Sequence, residues 1–259
     1  MITSLSPYRY RQHASFSRRK SPAEALTHRN HIMRYLTTFI LLLCLSEAAE
    51  WERVKQQDGI TVYTRNVAGS DFLAFKGEMV VDGSVDALIA VLYDTPRAPA
   101  WLHQCRFGMT LDEVRFEENY IFQIYDLPFP AGNREVILHT RLALTEDGAL
   151  LETREANDYC DTKPVERCRY VKEADLTRIE KSRGRYQFIS QDDNRTRVVW
   201  QQHIEPGGYL PDWLVNALLV DIPFNSLSRL RELVKTAKYR SMTIGQLRAL
   251  WREHHRYYH

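Results

Sequence analysis

Leu127-Pro128-Phe129-Pro130-Ala131-Gly132-Asn133-Arg134-Glu135 closes one apolar run and opens the next on an arginine. Each proline fixes its backbone φ and removes an amide donor, so the segment reads as a rigid corner between two strands. Further along, Ile204-Glu205-Pro206-Gly207-Gly208-Tyr209-Leu210-Pro211-Asp212-Trp213-Leu214-Val215-Asn216 does the same with a different sequel. There a strand ends in Pro-Gly-Gly and a helix begins near Pro211-Asp212. Together the two stretches predict a curved antiparallel sheet with one long closing helix, an architecture that encloses a cavity.

Outward from this pair, the rest of the pattern is α+β. Trp51 to Arg65 ends in a β-branched run after the Asp58-Gly59 turn, and Phe72–Asp82 alternates as a second strand. Gly83-Ser84 breaks that strand and caps a helix through Ala87, Leu88, Val91 and Leu92, which Pro96 and Pro99 stop. Trp101-Leu102 follows as a short helix or turn. Strands are then expected over Phe107–Glu117, Tyr120–Leu127, Arg134–Thr145, Ala149–Glu155, Gly184–Ser190 and Thr196–Glu205, with a hairpin loop at Asp192-Asp193-Asn194. Residues 156–182 read as charged and irregular. A long helix runs from Asp212 to about Tyr239, interrupted or kinked at Pro223. Beyond it Ile244, Leu247, Leu250 and Trp251 fall at helical spacing in a basic tail.

The formal charge of +2 conceals an asymmetry. Residues 1–49 hold seven Lys/Arg and only Glu24 and Glu47 as acids, which leaves 28 of the 35 basic and 31 of the 33 acidic residues for the body. A mildly acidic body gives no electrostatic case for nucleic-acid binding. The run Tyr35–Leu45 is shorter than the roughly 20 apolar residues a spanning helix needs. With Arg34 before it and Ser46-Glu47-Ala48 after, it reads as a secretory signal over residues 33–49. Residues 1–32 then form an upstream extension, residues 51–240 one folded domain and 241–259 a basic helical tail. The expected location is the periplasm.

Export places Cys105, Cys160 and Cys168 in an oxidising compartment. Cys160 and Cys168 either close a short loop, with Cys105 free and buried, or all three remain thiols; the spacings suit zinc poorly. No phosphate loop, His-Glu-x-x-His or Gly-x-Ser-x-Gly motif is present. His103 and Cys105 are two apart, and a thiol-imidazole pair would need them within about 3 Å; an ordinary structural role is the stronger reading. No catalytic residue, metal or cofactor is assigned.

In order and spacing, five pieces resemble the START lipid-binding domains, in particular the exported bacterial branch of the helix-grip superfamily. They are Asp58-Gly59-Ile60-Thr61-Val62-Tyr63-Thr64-Arg65, Phe75-Lys76-Gly77-Glu78, Trp101 with Cys105, Asp126 through Glu135, and Glu205 through Asn216. Glu135 and Glu205 depart mildly from the aspartates more usual there. The resemblance covers Trp51 to Tyr239. It implies a helix-grip fold, with a curved sheet wrapped around the long C-terminal helix and two short helices after the second strand. It also implies an elongated cavity for one lipid or similar apolar molecule.

Strand periodicity gives a candidate lining, because alternate side chains share a face. Tyr120, Phe122, Ile124 and Asp126, opposite Ile121, Gln123 and Tyr125, are taken as one inner set, the face that continues into the less charged set of the next strand, which opposes Glu135, Ile137, His139 and Arg141. Arg134, Val136, Leu138, Thr140 and Leu142 form the second, and Thr196, Val198, Trp200, Gln202 and Ile204 the third. From these, with Trp101, Leu214 and Leu218, the expected ligand-binding residues are Trp101, Tyr120, Phe122, Ile124, Asp126, Arg134, Val136, Leu138, Val198, Trp200, Leu214 and Leu218. Asp126 and Arg134 could pair across the proline corner; Arg134 could otherwise meet a ligand head group or turn carbonyls. Gly207-Gly208 and Asp221–Phe224 are candidate hinges for ligand entry. Two rival functions remain: a cyclase- or hydrolase-like enzyme using Arg134, Asp126, His103 or Tyr125, and an envelope protein-interaction module with a filled core. The basic tail could touch an anionic membrane surface, or pack on the domain with a solvated basic face.

Overall fold

The structure is a computed structural model that describes residues 50–258 apart from 164, 165, 175, 193 and 209. The expected extension and signal segment lie outside the described residues. Ten strands make one sheet: β1 (Glu52–Gln57), β2 (Ile60–Arg65), β3 (Ala74–Asp82), β4 (Cys105–Arg115), β5 (Glu118–Tyr125), β6 (Arg134–Thr145), β7 (Gly148–Glu155), β8 (Thr177–Arg178), β9 (Lys181–Asp192) and β10 (Arg195–Glu205). The order across the sheet is β1-β2-β3-β10-β9-β7-β6-β5-β4, antiparallel throughout, with short β8 pairing parallel to β6. Asp58 and Gly59 both take positive φ, so the expected first strand is in fact the hairpin β1–β2. Asp192 caps the tip of the β9–β10 hairpin, its carboxylate accepting from the Asn194 and Arg195 amides.

Between β3 and β4 come α1 (Val85–Tyr93), a 3-10 turn (Thr95–Arg97) and α2 (Ala98–Trp101). Ser84 caps α1 by accepting from the Ala87 amide at 3.2 Å. The segment expected to be irregular contains α3 (Tyr159–Thr162) and α4 (Cys168–Ala174). Cys160 and Cys168 are joined by a disulfide between these two short helices, and Cys105 is free and buried.

The long helix α5 (Asp212–Leu233) continues through Pro223 without a break, and it ends before Tyr239. Packing carries it past the proline: Leu227 and Leu230 are wholly buried, and both sit in the main core with Phe75, Met79, Phe188 and Val198. Gly77 on β3 lets the helix come close, because a Cβ there would stand 2.6 Å from Leu227 Cδ1 and 3.2 Å from Pro223 Cβ. The tail forms α6 (Ile244–Tyr258), packed on the domain rather than held away from it. Ile244, Leu247 and Trp251 lie against the core, Arg248 pairs with Glu117 at 2.6 Å, and the Ile244 amide donates to Asp86.

A second apolar cluster covers the outer face of β4–β6. It joins Leu111, Phe122, Ile124 and Ile137 to Tyr159, Cys160, Cys168 and Val171. The sheet therefore buries apolar side chains on both faces at this end, one against α5 and one against the disulfide-linked α3–α4 segment.

Candidate functional site

Between the concave sheet face and α5 lies a cavity with about 1520 Å³ free of protein atoms, part of it continuous with solvent. Along β6 its lining runs from Arg134 to Thr140, ~20 Å of extended chain, so the space is elongated. From β5 and β6 it is lined by Asn119, Ile121, Gln123, Tyr125, Arg134, Val136, Leu138 and Thr140. Trp101 and Leu102 close it from α2, Tyr186, Trp200, Gln202 and Ile204 from β9 and β10, and Val215, Leu218, Leu219 and Ile222 from α5. Leu127, Pro206 and Leu210 border it from the corner before β6 and the loop before α5.

Trp101, Arg134, Val136, Leu138, Trp200 and Leu218 thus come together around the cavity. The inner face assigned to β5 is corrected. Tyr120, Phe122 and Ile124 point the other way, Phe122 and Ile124 into the outer cluster and Tyr120 stacked on Tyr159 and His139. The register explains why: Tyr125 pairs with Arg134, Gln123 with Val136, Ile121 with Leu138 and Asn119 with Thr140. Residues directly opposite in an antiparallel pair share a face, so odd positions of β5 accompany even positions of β6. The polarity criterion failed because the outer face is not solvated; α3 and α4 cover it, and the apolar set belongs there. Val198 lies in the main core beside the cavity, and Leu214 is buried without lining it.

Asp126 and Arg134 do not pair. Asp126 is half exposed and meets Arg106 at 3.3 Å. Arg134 is 3% exposed and gives its guanidinium protons to main-chain carbonyls: Nε to Pro206 at 3.0 Å, Nη1 to Gly132 and Asn133, and Nη2 to Gly207 at 3.1 Å. Burial works against its charge and lowers its pKa from the ordinary arginine value. Its chemistry is that of a clasp joining the 126–133 corner to the segment before α5. Gly207 and Gly208 both adopt positive φ, the conformation that lets those carbonyls turn toward the guanidinium.

Glu135, next along β6, points to the opposite face and binds Arg178 at 2.5 Å. His103 and Cys105 form no pair. Cys105 Sγ donates to the Phe107 carbonyl, and burial pushes its thiol up to about 12. Burial likewise lowers the His103 pKa, and neither His103 nor Asp126 lines the cavity. The Tyr125 and Tyr186 phenols are held far above their usual range by burial, so they face the cavity as neutral hydroxyls. Among the described residues no cluster of His, Cys, Asp and Glu could hold a metal.

Besides apolar residues such as Leu102, Ile121, Val215, Leu219 and Ile222, the lining includes polar ones that were not expected there: Asn119, Gln123, Tyr125, Thr153 and Ser182. Their signal was the alternation itself, concealed by the unknown register of the corner.

Comparison with known proteins agrees with this architecture. The START domain family model matches residues 32–240. An uncharacterised protein of Pseudomonas aeruginosa is 29% identical over 185 residues, covering 71% of this chain and 86% of its own length. The crystal structure of a STAR-related lipid transfer protein fragment from Xanthomonas axonopodis superposes with a TM-score of 0.61 at 28% identity, covering 72% of this chain and 99% of that one. Human STARD10 shares the fold at 16% identity, with a TM-score of 0.59, 86% of this chain and 83% of the other covered. A family match across most of the chain, and a sheet that grips α5 around an enclosed space, lead to one assignment: this protein belongs to the START domain family.

Proposed function

We propose that this protein carries or senses one lipid, or a similar elongated apolar molecule, in the cell envelope, and does no chemistry on it. The observation that carries the reading is the long cavity walled by Trp101, Ile121, Val136, Leu138, Trp200 and Leu218. Removing apolar ligand surface from water stabilises a complex by roughly 25 cal/mol per Å², so a slender apolar molecule gains along the whole length of such a wall. The candidate acid-base groups argue against the rival enzyme: Asp126 and His103 lie off the cavity, Arg134 is engaged by carbonyls, and Tyr125 is neutral. The void and the buried aromatic lining argue against a filled interaction module.

The Cys160–Cys168 disulfide supports an oxidising compartment, in line with an export signal at 33–49 and a periplasmic location. Ligand exchange at a membrane surface is supported by two exposed aromatics near the cavity's loops, Phe129 at 92% and Trp213 at 61%. Native purification of the mature protein followed by mass spectrometry should release a stoichiometric lipid or other apolar compound. A protein that comes out empty, and takes up none from envelope lipid extracts, would end the carrier reading. Phe129→Ala with Trp213→Ala should reduce co-sedimentation with phosphatidylglycerol vesicles; unchanged co-sedimentation would refute the membrane step.

A further inference from the structure

Beside the polar groups of Gln123, Tyr125 and Ser182, the cavity wall carries a continuous polar row that crosses the sheet. Gln202 pairs with Gly184, Gly184 with Thr153, Thr153 with Thr140, Thr140 with Asn119 and Asn119 with Glu113. The row runs from β10 across to β4 on the concave face, and Gln202, Thr153, Thr140, Asn119 and Glu113 all line the cavity. Along β6, Thr140 stands six residues from Arg134, a distance of ~20 Å in extended chain.

Gln202 and Thr140 are bonded within the protein. The Gln202 amide donates to Ser182 at 2.8 Å and accepts from Trp200 Nε1 at 3.3 Å, and Thr140 Oγ1 donates to the Asn119 carbonyl. Two atoms of the row differ. Asn119 Oδ1 and Thr153 Oγ1 are buried with no hydrogen-bond partner, in side chains that are each 9% exposed. Gly184 makes room between the strands: a Cβ there would stand 1.9 Å from Gln202 Oε1 and 2.9 Å from Thr153 Oγ1. The absence of a side chain lets both oxygens converge over it. Buried polar atoms normally find partners, and two orphans on one row of a cavity point to a partner supplied by the occupant.

We infer that the Asn119–Thr140–Thr153 row reads a hydroxyl-class donor on the ligand, which makes the occupant an elongated apolar molecule with a neutral hydroxylated end rather than a plain hydrocarbon. Asn119 Oδ1 accepts from that group, and Thr153 exchanges a bond with it. Arg134 does not serve the same end, since its donors already belong to carbonyls at the other end of β6. This deepens the carrier reading and rests on it.

The test compares dodecanol with dodecyl methyl ether, which keeps the oxygen and loses the donor proton. Each is titrated by displacement of anilinonaphthalene sulfonate from the intact mature protein. The wild type should bind the alcohol about tenfold tighter, the ratio that one well-made hydrogen bond of ~1.4 kcal/mol supplies. Asn119→Leu, which removes the acceptor for the donor proton, should bring the ratio close to one by weakening the alcohol. The near-isosteric Thr153→Val, which removes a bond to the oxygen that both probes keep, should weaken both probes together, and Thr153→Ser should restore them. Equal binding of both probes by the wild type overturns this inference and leaves the carrier reading standing. A preference that persists in Asn119→Leu also overturns it. Binding of neither probe overturns the carrier reading, and this inference with it. The wild-type ratio decides even where a variant fails to fold.

Discussion

Arg134 owes its burial to geometry rather than to a counterion. A guanidinium presents a planar fork of donors, and here the fork reaches four carbonyls in two loops that meet at the cavity. Arg134→Met would leave those carbonyls short of a donor and free the Pro206–Gly207 segment. The expected cost is about 2–4 kcal/mol, and Arg134→Lys should lose part of it because a single ammonium cannot span both loops. Urea denaturation measures both, and a midpoint unchanged in Arg134→Met would show that the clasp stabilises nothing. In the sequence this residue was conspicuous, sitting between a proline corner and a strand, but its partners were not. Carbonyls carry no signature in a sequence, whereas Asp126, the partner that the sequence offered, was one residue out of phase and faces Arg106 instead.

At the scale of elements, the grip of sheet on helix turns on Gly77. The space its side chain would take is filled by Leu227, which is wholly buried, and by Pro223 beside it. Gly77→Ala should therefore destabilise by about 1–3 kcal/mol through overpacking. Leu227→Ala alone should cost about 2–5 kcal/mol for the cavity it leaves. Combined, the two should cost clearly less than their sum, because the new methyl occupies the space that the leucine vacates. Additive losses in the double variant would mean that the helix does not rest on this glycine. Most elements were legible because their periodicities are strong: β5, β6 and β10 lie within two residues of where alternation put them, and α5 starts at Asp212 as helical spacing placed it, though it ends six residues early. The facing of β5 was not. A single-residue change in the register of a corner exchanges the two faces of a strand, and the composition of β5 could not arbitrate when both faces are buried. Residues 156–182 were opaque for a related reason, since short helices held by a disulfide and an apolar underside need little periodicity of their own.

For the molecule as a whole, the decisive property is space that the chain leaves unfilled. Interiors pack closely, and an empty apolar cavity forfeits the dispersion contacts its walls would otherwise make. A protein that keeps one gives up stability in the free state and recovers it when an occupant arrives. Leu138 projects into the cavity between Arg134 and the polar row, one inward-facing position from Thr140 and opposite Ile121. Leu138→Trp should fill part of the void without touching the clasp or the α5 contacts. The free protein should then unfold at the same denaturant concentration as wild type or at a higher one. The ligand that stabilises the wild type should do so no longer, because stabilisation by binding falls away as the dissociation constant rises above the free ligand concentration. Native mass spectrometry and thermal unfolding, each with and without envelope lipid extract, read the two effects separately. A Leu138→Trp protein that is less stable and still ligand-bound would place the occupant elsewhere in the fold and remove the cavity from the account of what this protein does.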